Sequence, residues 1–405
     1  MHSTKLKFVI LTQQPWEDKN TGSNIWDMAQ VLARTDEVLL INQALDWSAL
    51  VGRGTKKLRQ RQQFLQRSHG QRLIEVGANF RVLSPRVLLG SFNWLPDSPV
   101  YDWLNRYNGR KLAEEIKSAL EELQWESYIL LNDNEMLRGF YLKELLQPQL
   151  YVYYLRDNLA ATAYWQRHGE RLEPELIGKA DLIVSNSVYL TRQAARYNRH
   201  SVYIGQGCNQ TLFDPDQVQS EPADLAGLPR PRVGYAGALT GMRLDVGLIE
   251  AIATRRPDWQ VVLIGAVDSS FPTDRLRALP NVTILAPKPL PLIPAYLASM
   301  DVLINPQVVN EMTIGNYPRK VDEYLAMGKP VVAVRTEAMA LFEKHVFLAE
   351  TTDEFMDGIA GALSGKLPST SEERITFALE HTWENSVGLL SDTIDNLLHN
   401  RVNVI

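Results

Sequence analysis

The 405-residue sequence contains one cysteine, Cys208, which excludes an intramolecular disulfide. No stretch approaches the about 18 unbroken apolar residues of a membrane-spanning helix. The opening segment, MHSTKLKFVILTQQPW, has an apolar run too short for a signal peptide. A formal net charge of −5 argues against nucleic acid as a partner. Low-complexity tracts, short-period repeats and the G-x-G-x-x-G fingerprint of nicotinamide dinucleotide binding are all absent. The expected location is therefore cytoplasmic, with peripheral contact at the inner face of the cell membrane left open.

What is present is globular: 45% hydrophobic and 22% charged residues. The length exceeds one ordinary core and suits two domains of about 200 residues each. Short apolar runs alternate with helical patterns: FVILT (8–12), EVLLIN (37–42), SYILLN (127–132), LYVYYL (150–155), DLIVSN (181–186) and SVYIG (201–205). Such runs, buried on both faces and separated by helices, predict a parallel α/β sheet. Residues 214–231 hold four prolines and no period, and read as a linker. The pattern restarts at RVGYAG (232–237), WQVVLIG (259–265), NVTIL (281–285), DVLIN (301–305) and KPVVAV (329–334). The fold class is thus α/β, with two Rossmann-like, doubly wound parallel-sheet domains, 1–213 and 232–385, facing a cleft. Residues 386–405 form a terminal helix that could pack back on the first domain.

In doubly wound sheets ligands bind beyond the carboxyl ends of the strands, so the segments that follow each strand are the candidates. After the first strand, Gly22 and Ser23 lie in a polar loop that leads into an amphipathic helix, and their backbone could meet an anion or a sugar hydroxyl. An ordinary strand-to-helix turn fits equally. Arg156 and Asp157 close the LYVYYL strand, where Asp157 either caps the next helix or faces the cleft. In the second half Gly237, Gly241 and Arg243 precede a helix, a combination suited to a diphosphate. Lys288 follows another strand. Beyond DVLINP, the stretch YPRKVDEYLAMG predicts a helix with Pro318 in its first turn and Gly328 as its C-cap. Lys320, in that first turn, calls for an anion, and Glu323 follows three residues later. A carboxylate here can accept both hydroxyls of a ribose while Arg319 and Lys320 neutralise phosphate. The alternative is an intrahelical Lys320–Glu323 pair on a solvated face.

GYAGAL (234–239) and RPDWQVVLIG (256–265), combined with P-x-K-x-x-E-Y-L-A-x-G-K-P-V-V (318–332), resemble the retaining group-1 glycosyltransferases of GT-B architecture. The likeness is to the branch related to teichuronic-acid biosynthesis. ADLIVSNS (180–187) and VYIGQGCNQTLFDPD (202–216) are similar to further segments of that family. The resemblance implies transfer, with retention, of a sugar from a nucleotide-sugar donor to a glycan or lipid-linked acceptor in surface polysaccharide biosynthesis. The nucleotide sugar is then a co-substrate, and neither cofactor nor metal is required. Position by position, Glu323 matches the ribose-binding glutamate, Arg243 and Lys320 stand near the diphosphate with Gly237, and the backbone of Thr313, Ile314, Gly315 and Asn316 lies near the transferred sugar. Arg243, Lys320 and Asp157 are the catalytic candidates, and Gly22, Ser23 and Arg156 the acceptor-side ones. Many relatives carry a second glutamate eight positions before the first, where this chain has Gly315; Glu311, four residues earlier, is the candidate substitute. That departure leaves a second reading, a catalytically weak protein that binds nucleotide or glycan and supports a partner enzyme. The basic run 52–72 followed by VLLGSFNWLP is the candidate membrane contact.

Overall fold

A computed structural model describes residues 5–16, 23–47, 71–218 and 220–402. Gly22 and residues 52–70 of the basic run lie outside the described residues. The chain divides into two compact units, Met1–Gly205 together with Val387–Ile405, and Gln206–Ser386.

The strands of the first unit are β1 (Lys7–Thr12), β2 (Glu37–Ile41), β3 (Leu45–Asp46), β4 (Leu73–Gly77), β5 (Phe80–Leu83), β6 (Leu88–Leu89), β7 (Ile129–Asp133), β8 (Leu150–Leu155), β9 (Leu182–Ser185) and β10 (Ser201–Tyr203). Its helices include α1 (Asn24–Leu32), α2 (Pro99–Glu122), α3 (Leu142–Leu146), α4 (Ala163–Lys179) and α5 (Val188–Ala194). Among the described residues the main sheet runs β10-β9-β8-β7-β1-β2-β5-β4, parallel except for the β4–β5 pair. Its central strands are buried on both faces: Val9, Leu39, Leu130, Tyr151 and Ile183 share one core cluster with Ile116, Leu172 and Leu176 from α2 and α4, and Phe8, Ile10, Val38 and Leu40 are fully buried on the opposite face. The sequence pattern missed β4 and β5. Only one face of β4 is covered, so its polar half masks the apolar one.

The second unit contains β11 (Arg232–Ala236), α6 (Val246–Arg255), β12 (Gln260–Ile264), α7 (Thr273–Arg277), β13 (Val282–Leu285), α8 (Ile293–Ala298), β14 (Val302–Asn305), α9 (Arg319–Ala326), β15 (Val331–Val334), β16 (Phe347–Ala349), α10 (Thr352–Leu363) and α11 (Ser371–Glu380). The final helix, α12 (Trp383–Val402), begins here. The sheet runs β13-β12-β11-β14-β15-β16, all parallel, which is the 3-2-1-4-5-6 order of a dinucleotide-binding sheet. The strand order reverses between β11 and β14, so the crevice for a ligand opens beyond Ala236 and Asn305. One core cluster lies on each face of this sheet.

The expected linker 214–231 belongs instead to the second unit. Leu225 is fully buried, and the Arg232 guanidinium donates to the carbonyls of Leu225 and Leu228 at 3.0 and 2.8 Å. Lys288, flagged as a possible cleft residue, is used here: its Nζ lies 2.5 Å from Asp224 Oδ2, and Tyr296 donates to the other carboxylate oxygen at 2.8 Å. The prolines stiffen a segment that packs, rather than one that swings free.

Candidate functional site

In the second unit the crevice is assembled by backbone pairing between two loops. Val308 N–H donates to the Arg243 carbonyl at 2.9 Å and Asp245 N–H to the Pro306 carbonyl at 2.8 Å. Asn310 Nδ2 reaches the Met242 carbonyl at 3.1 Å. The Arg243 loop and the 306–316 loop are therefore one structure, although sixty residues separate them in sequence. The strand ends behind them are equally close. Gly237 N–H donates to Ile264, and a Cβ on Gly265 would stand 1.7 Å from the Gly237 carbonyl oxygen, so only glycine fits there.

Helix α9 is fastened over this crevice by Tyr324, whose buried hydroxyl accepts from Ala236 N–H at 2.9 Å and lies 3.1 Å from the Ala236 carbonyl. Gly328, at φ +66°, ends the helix as expected, and its carbonyl accepts from Ser371 and from two nitrogens of Arg374. Pro318 is the N-cap residue rather than a first-turn residue, and no side chain caps the helix. The positive end of α9 thus coincides with Arg319 and Lys320, which favours an anion there. Lys320 lies against Gly237: a Cβ at Gly237 would be 3.0 Å from Lys320 Cε, and Nζ sits 5.2 Å from the centre of the Tyr235 ring. The helix after Arg243 is different. Asp245 caps α6 by accepting from Leu248 N–H at 2.9 Å, so its own carboxylate fills the place expected for a diphosphate.

Glu323 does not pair with Lys320 as the solvated-face alternative supposed. Its Oε1 lies 3.0 Å from Arg319 Nε, one turn away, with both side chains about 15% exposed. Burial pushes the Glu323 carboxyl up, and Arg319 and Lys320 pull it back. The next residue back, Asp322, is fully buried with Oδ1 3.0 Å from His381 Nδ1, and burial raises its carboxyl too. No local pattern along the chain pointed to this tie between α9 and the turn before α12. Asn305, also unflagged, closes β14 with a buried Nδ2 that has no hydrogen-bond partner among the described residues. A polar residue ending an apolar strand was the available signal.

The 313–316 backbone is largely engaged. Thr313 N–H and Ile314 N–H donate to Asn310, and Asn316 N–H to Thr313, while the Thr313 carbonyl accepts from Gln307 Nε2 at 2.9 Å. A sugar would meet this loop through other groups than those three amides. Gly315 is buried and Glu311 exposed, so the two positions are not equivalent places for a carboxylate.

In the first unit the order of strands reverses between β1 and β7. Here Thr12 donates to Asp133 Oδ2 at 2.8 Å, and Arg156 Nε lies 2.6 Å from Asp133 Oδ1. Asn134, at φ +52°, accepts from the backbone N–H groups of both Arg156 and Asp157. Arg156 does stand at a strand end in the crevice region, but its charge is met by the fully buried Asp133 and by Asp157 at 3.3 Å. Asp157 is the N-cap residue neither of the 3₁₀ turn Leu159–Ala161 nor of α4. Asp133 was missed because an aspartate ending an apolar strand looks like the start of a loop. Ser23 is the N-cap residue of α1, buried, with its hydroxyl turned to the Gln14 side chain instead of outward. Among the described residues no group of three or more His, Cys, Asp or Glu could hold a metal ion.

This geometry defines a two-unit α/β protein with a cationic, glycine-lined crevice, and comparison with known proteins agrees. Residues 230–364 match the family model of group 1 glycosyl transferases. The putative teichuronic acid biosynthesis glycosyltransferase TuaH of Bacillus subtilis (strain 168) is 28% identical over 197 residues, 46% of this chain and 49% of that protein. The matched region thus spans about half the length of that relative. Sucrose-phosphate synthase from Thermosynechococcus elongatus superposes with a TM-score of 0.70 at 15% identity over 98% of this chain and all of that one. Anabaena Alr3699/HepE in complex with UDP-glucose gives 0.64 at 17% over 96% of this chain and all of that one. The α,α-trehalose 6-phosphate synthase of Burkholderia multivorans gives 0.67 at 12% over 99% and all of that chain. The fold is that of GT-B glycosyltransferase structures.

Proposed function

We propose that the protein is a glycosyltransferase that moves a sugar, with retention, from a nucleotide-sugar donor to a glycan or lipid-linked acceptor. The observation that carries this reading is the meeting of Lys320, Gly237 and the uncapped start of α9 at the switch point of the second sheet, with Glu323 one turn on. As the glycosidic bond breaks, the leaving diphosphate gains negative charge. Lys320, Arg243 and the α9 N-terminus can stabilise that charge in place, without solvent reorganisation. In a front-face course the leaving phosphate helps to take the acceptor proton, which removes the need for paired carboxylates. Glu323 holds the ribose, and Arg319 beside it adds positive charge to the anion site. The acceptor belongs to the first unit.

The name of the Bacillus subtilis relative supports a surface polysaccharide as the product, and the UDP-glucose complex of the Anabaena protein supports a nucleotide sugar as the donor. The work would take place in the cytoplasm, at the inner face of the membrane. The buried Gly315, where a second glutamate is expected, favours the rival reading of a nucleotide-binding partner for another enzyme. Nucleoside diphosphate release measured with and without acceptor separates the two. Release that depends on acceptor, with an α-linked product from an α-linked donor by NMR, establishes retaining transfer. Nucleotide binding with no turnover on any acceptor establishes the partner role.

A further inference from the structure

Helix α2 carries an outward face that the transferase reading does not use. It starts cleanly, with Ser98 as N-cap accepting from Tyr101 N–H at 3.3 Å and Pro99 at its first position. Tyr101, Leu112, Ala113 and Ile116 bury its inner side in the first core. On the outer side Val100 is 61% exposed, Trp103 67% and Tyr107 45%. These positions recur at helical spacing, so they form one stripe. The Trp103 and Tyr107 rings stack with centroids 6.4 Å apart, and Lys111 Nζ sits 4.8 Å from the Tyr107 ring centre.

Between Val100 and Lys111 the basic residues beside this stripe outnumber the acidic ones. Arg106 and Arg110 lie in the first half of α2 and Lys111 directly after it, and Arg106 also lies over the Tyr141 ring at 5.7 Å. The single acid in that half, Asp102, is held by Arg171 at 2.6 Å, and Arg171 also binds Asp97 at 2.7 Å. The stripe ends at Glu114. A protein of net charge −5 therefore presents, on this helix, a compact positive surface set with exposed aromatic rings. Protein interfaces share the enrichment in tryptophan, tyrosine and arginine but are depleted of lysine, which here sits directly over the Tyr107 ring. Tryptophan and tyrosine flanked by arginine and lysine instead match the polar–apolar boundary of a bilayer, where the ring sits among the head groups and the cation meets lipid phosphate.

We infer that the Val100–Trp103–Tyr107–Lys111 face of α2, with Arg106 and Arg110, is a docking surface for a bilayer that contains anionic lipid. The inference does not depend on which reaction the second unit performs, and it concerns a surface other than the run 52–72, most of which lies outside the described residues. Its attachment is peripheral, because among the described residues no helix is long and apolar enough to cross a membrane.

The test is co-sedimentation of the full chain with vesicles of phosphatidylcholine alone and of equimolar phosphatidylcholine and phosphatidylglycerol. The expected result is capture by the mixed vesicles only, lost as salt rises from about 0.1 M to about 1 M. Arg106→Glu with Arg110→Glu should lower the partition at least roughly fivefold per charge removed. Trp103→Ser with Tyr107→Ser should lower it about tenfold. All four side chains point to solvent, so thermal unfolding should match the wild type, and nucleotide binding at α9 serves as a second folding control. Equal capture by both vesicle types, or wild-type capture by both double variants, overturns the proposal. So does a concentration-dependent dimer in sedimentation velocity that the Trp103/Tyr107 variant abolishes while no vesicle is bound, since the face would then join two copies.

Discussion

Replacing Glu323 with alanine separates a binding carboxylate from a structural one. In the folded chain its carboxylate pairs with Arg319, 3.0 Å away, and both side chains are largely but not fully buried. An i,i+4 pair in such a position contributes about 0.5–1 kcal/mol, so the variant should stay folded with a modest loss of stability. If the carboxylate instead exists to accept ribose hydroxyls, each charged hydrogen bond is worth about 1.5–3 kcal/mol, less what Arg319 gives up when it is displaced. The net cost is about 1–3 kcal/mol, a rise in Kd of about 5- to 150-fold. Isothermal calorimetry with UDP, GDP, ADP and CMP on wild type and Glu323→Ala reads this directly. Lys320→Ala serves beside it: it should weaken the nucleoside diphosphate and leave the nucleoside unaffected. The reasoning is refuted if Glu323→Ala binds every nucleotide as the wild type does while stability falls by the worth of the pair. In that event Glu323 is an ion-pair partner of Arg319 and nothing more.

Tyr324→Phe should lower the stability of the second unit by about 1–3 kcal/mol in urea unfolding, because it strips the hydroxyl partner from a buried Ala236 amide. The two crevice glycines should behave differently. Gly265→Ala drives a methyl into the Gly237 carbonyl and should cost about 3 kcal/mol or prevent folding. Gly237→Ala, at φ +152°, meets only the movable Lys320 and Tyr235 side chains. It should fold at a cost of about 1–3 kcal/mol and bind nucleotide diphosphates more weakly, as calorimetry would report. Glu173 gives the pH test. Buried beneath Tyr153, which donates to it at 2.7 Å, its carboxyl is pushed up from 4.5 to about 7 by burial. The folded state therefore favours the protonated acid, and its contribution is complete below pH 4.5 and lost as pH rises towards 7. Chemical denaturation across that window should show a decline of about 3 kcal/mol, which Glu173→Gln removes. A flat profile in the wild type would show that the carboxyl ionises without penalty.

Much of this protein was legible along the chain. Runs such as LYVYYL and VVLIG read as strands covered on both faces, because they are short, continuous and rich in β-branched or aromatic residues between helical patterns. Proline 318 and glycine 328 bracket α9 through backbone chemistry that acts within a few residues, and Lys320 and Glu323 were picked out by charge placed near a helix start. The same local reading failed wherever the partner was distant. It expected α6 to receive an anion, although Asp245 already occupies that end, and it took 214–231 for a linker, although Leu225 and Asp224 pack on residues far along the sequence. Asp133 and Asn305 offered only the weak signal of a polar residue ending an apolar strand, and the Asp322–His381 pair none. Periodicity, caps and turn residues are short-range effects, and they determined most of the strand and helix content, though not β4 and β5, together with the two-sheet architecture and the neighbourhood of the crevice. Which charges pair, which amides are already satisfied and which glycines admit no methyl are set by contacts between segments tens of residues apart, and only the packed tertiary structure decides them.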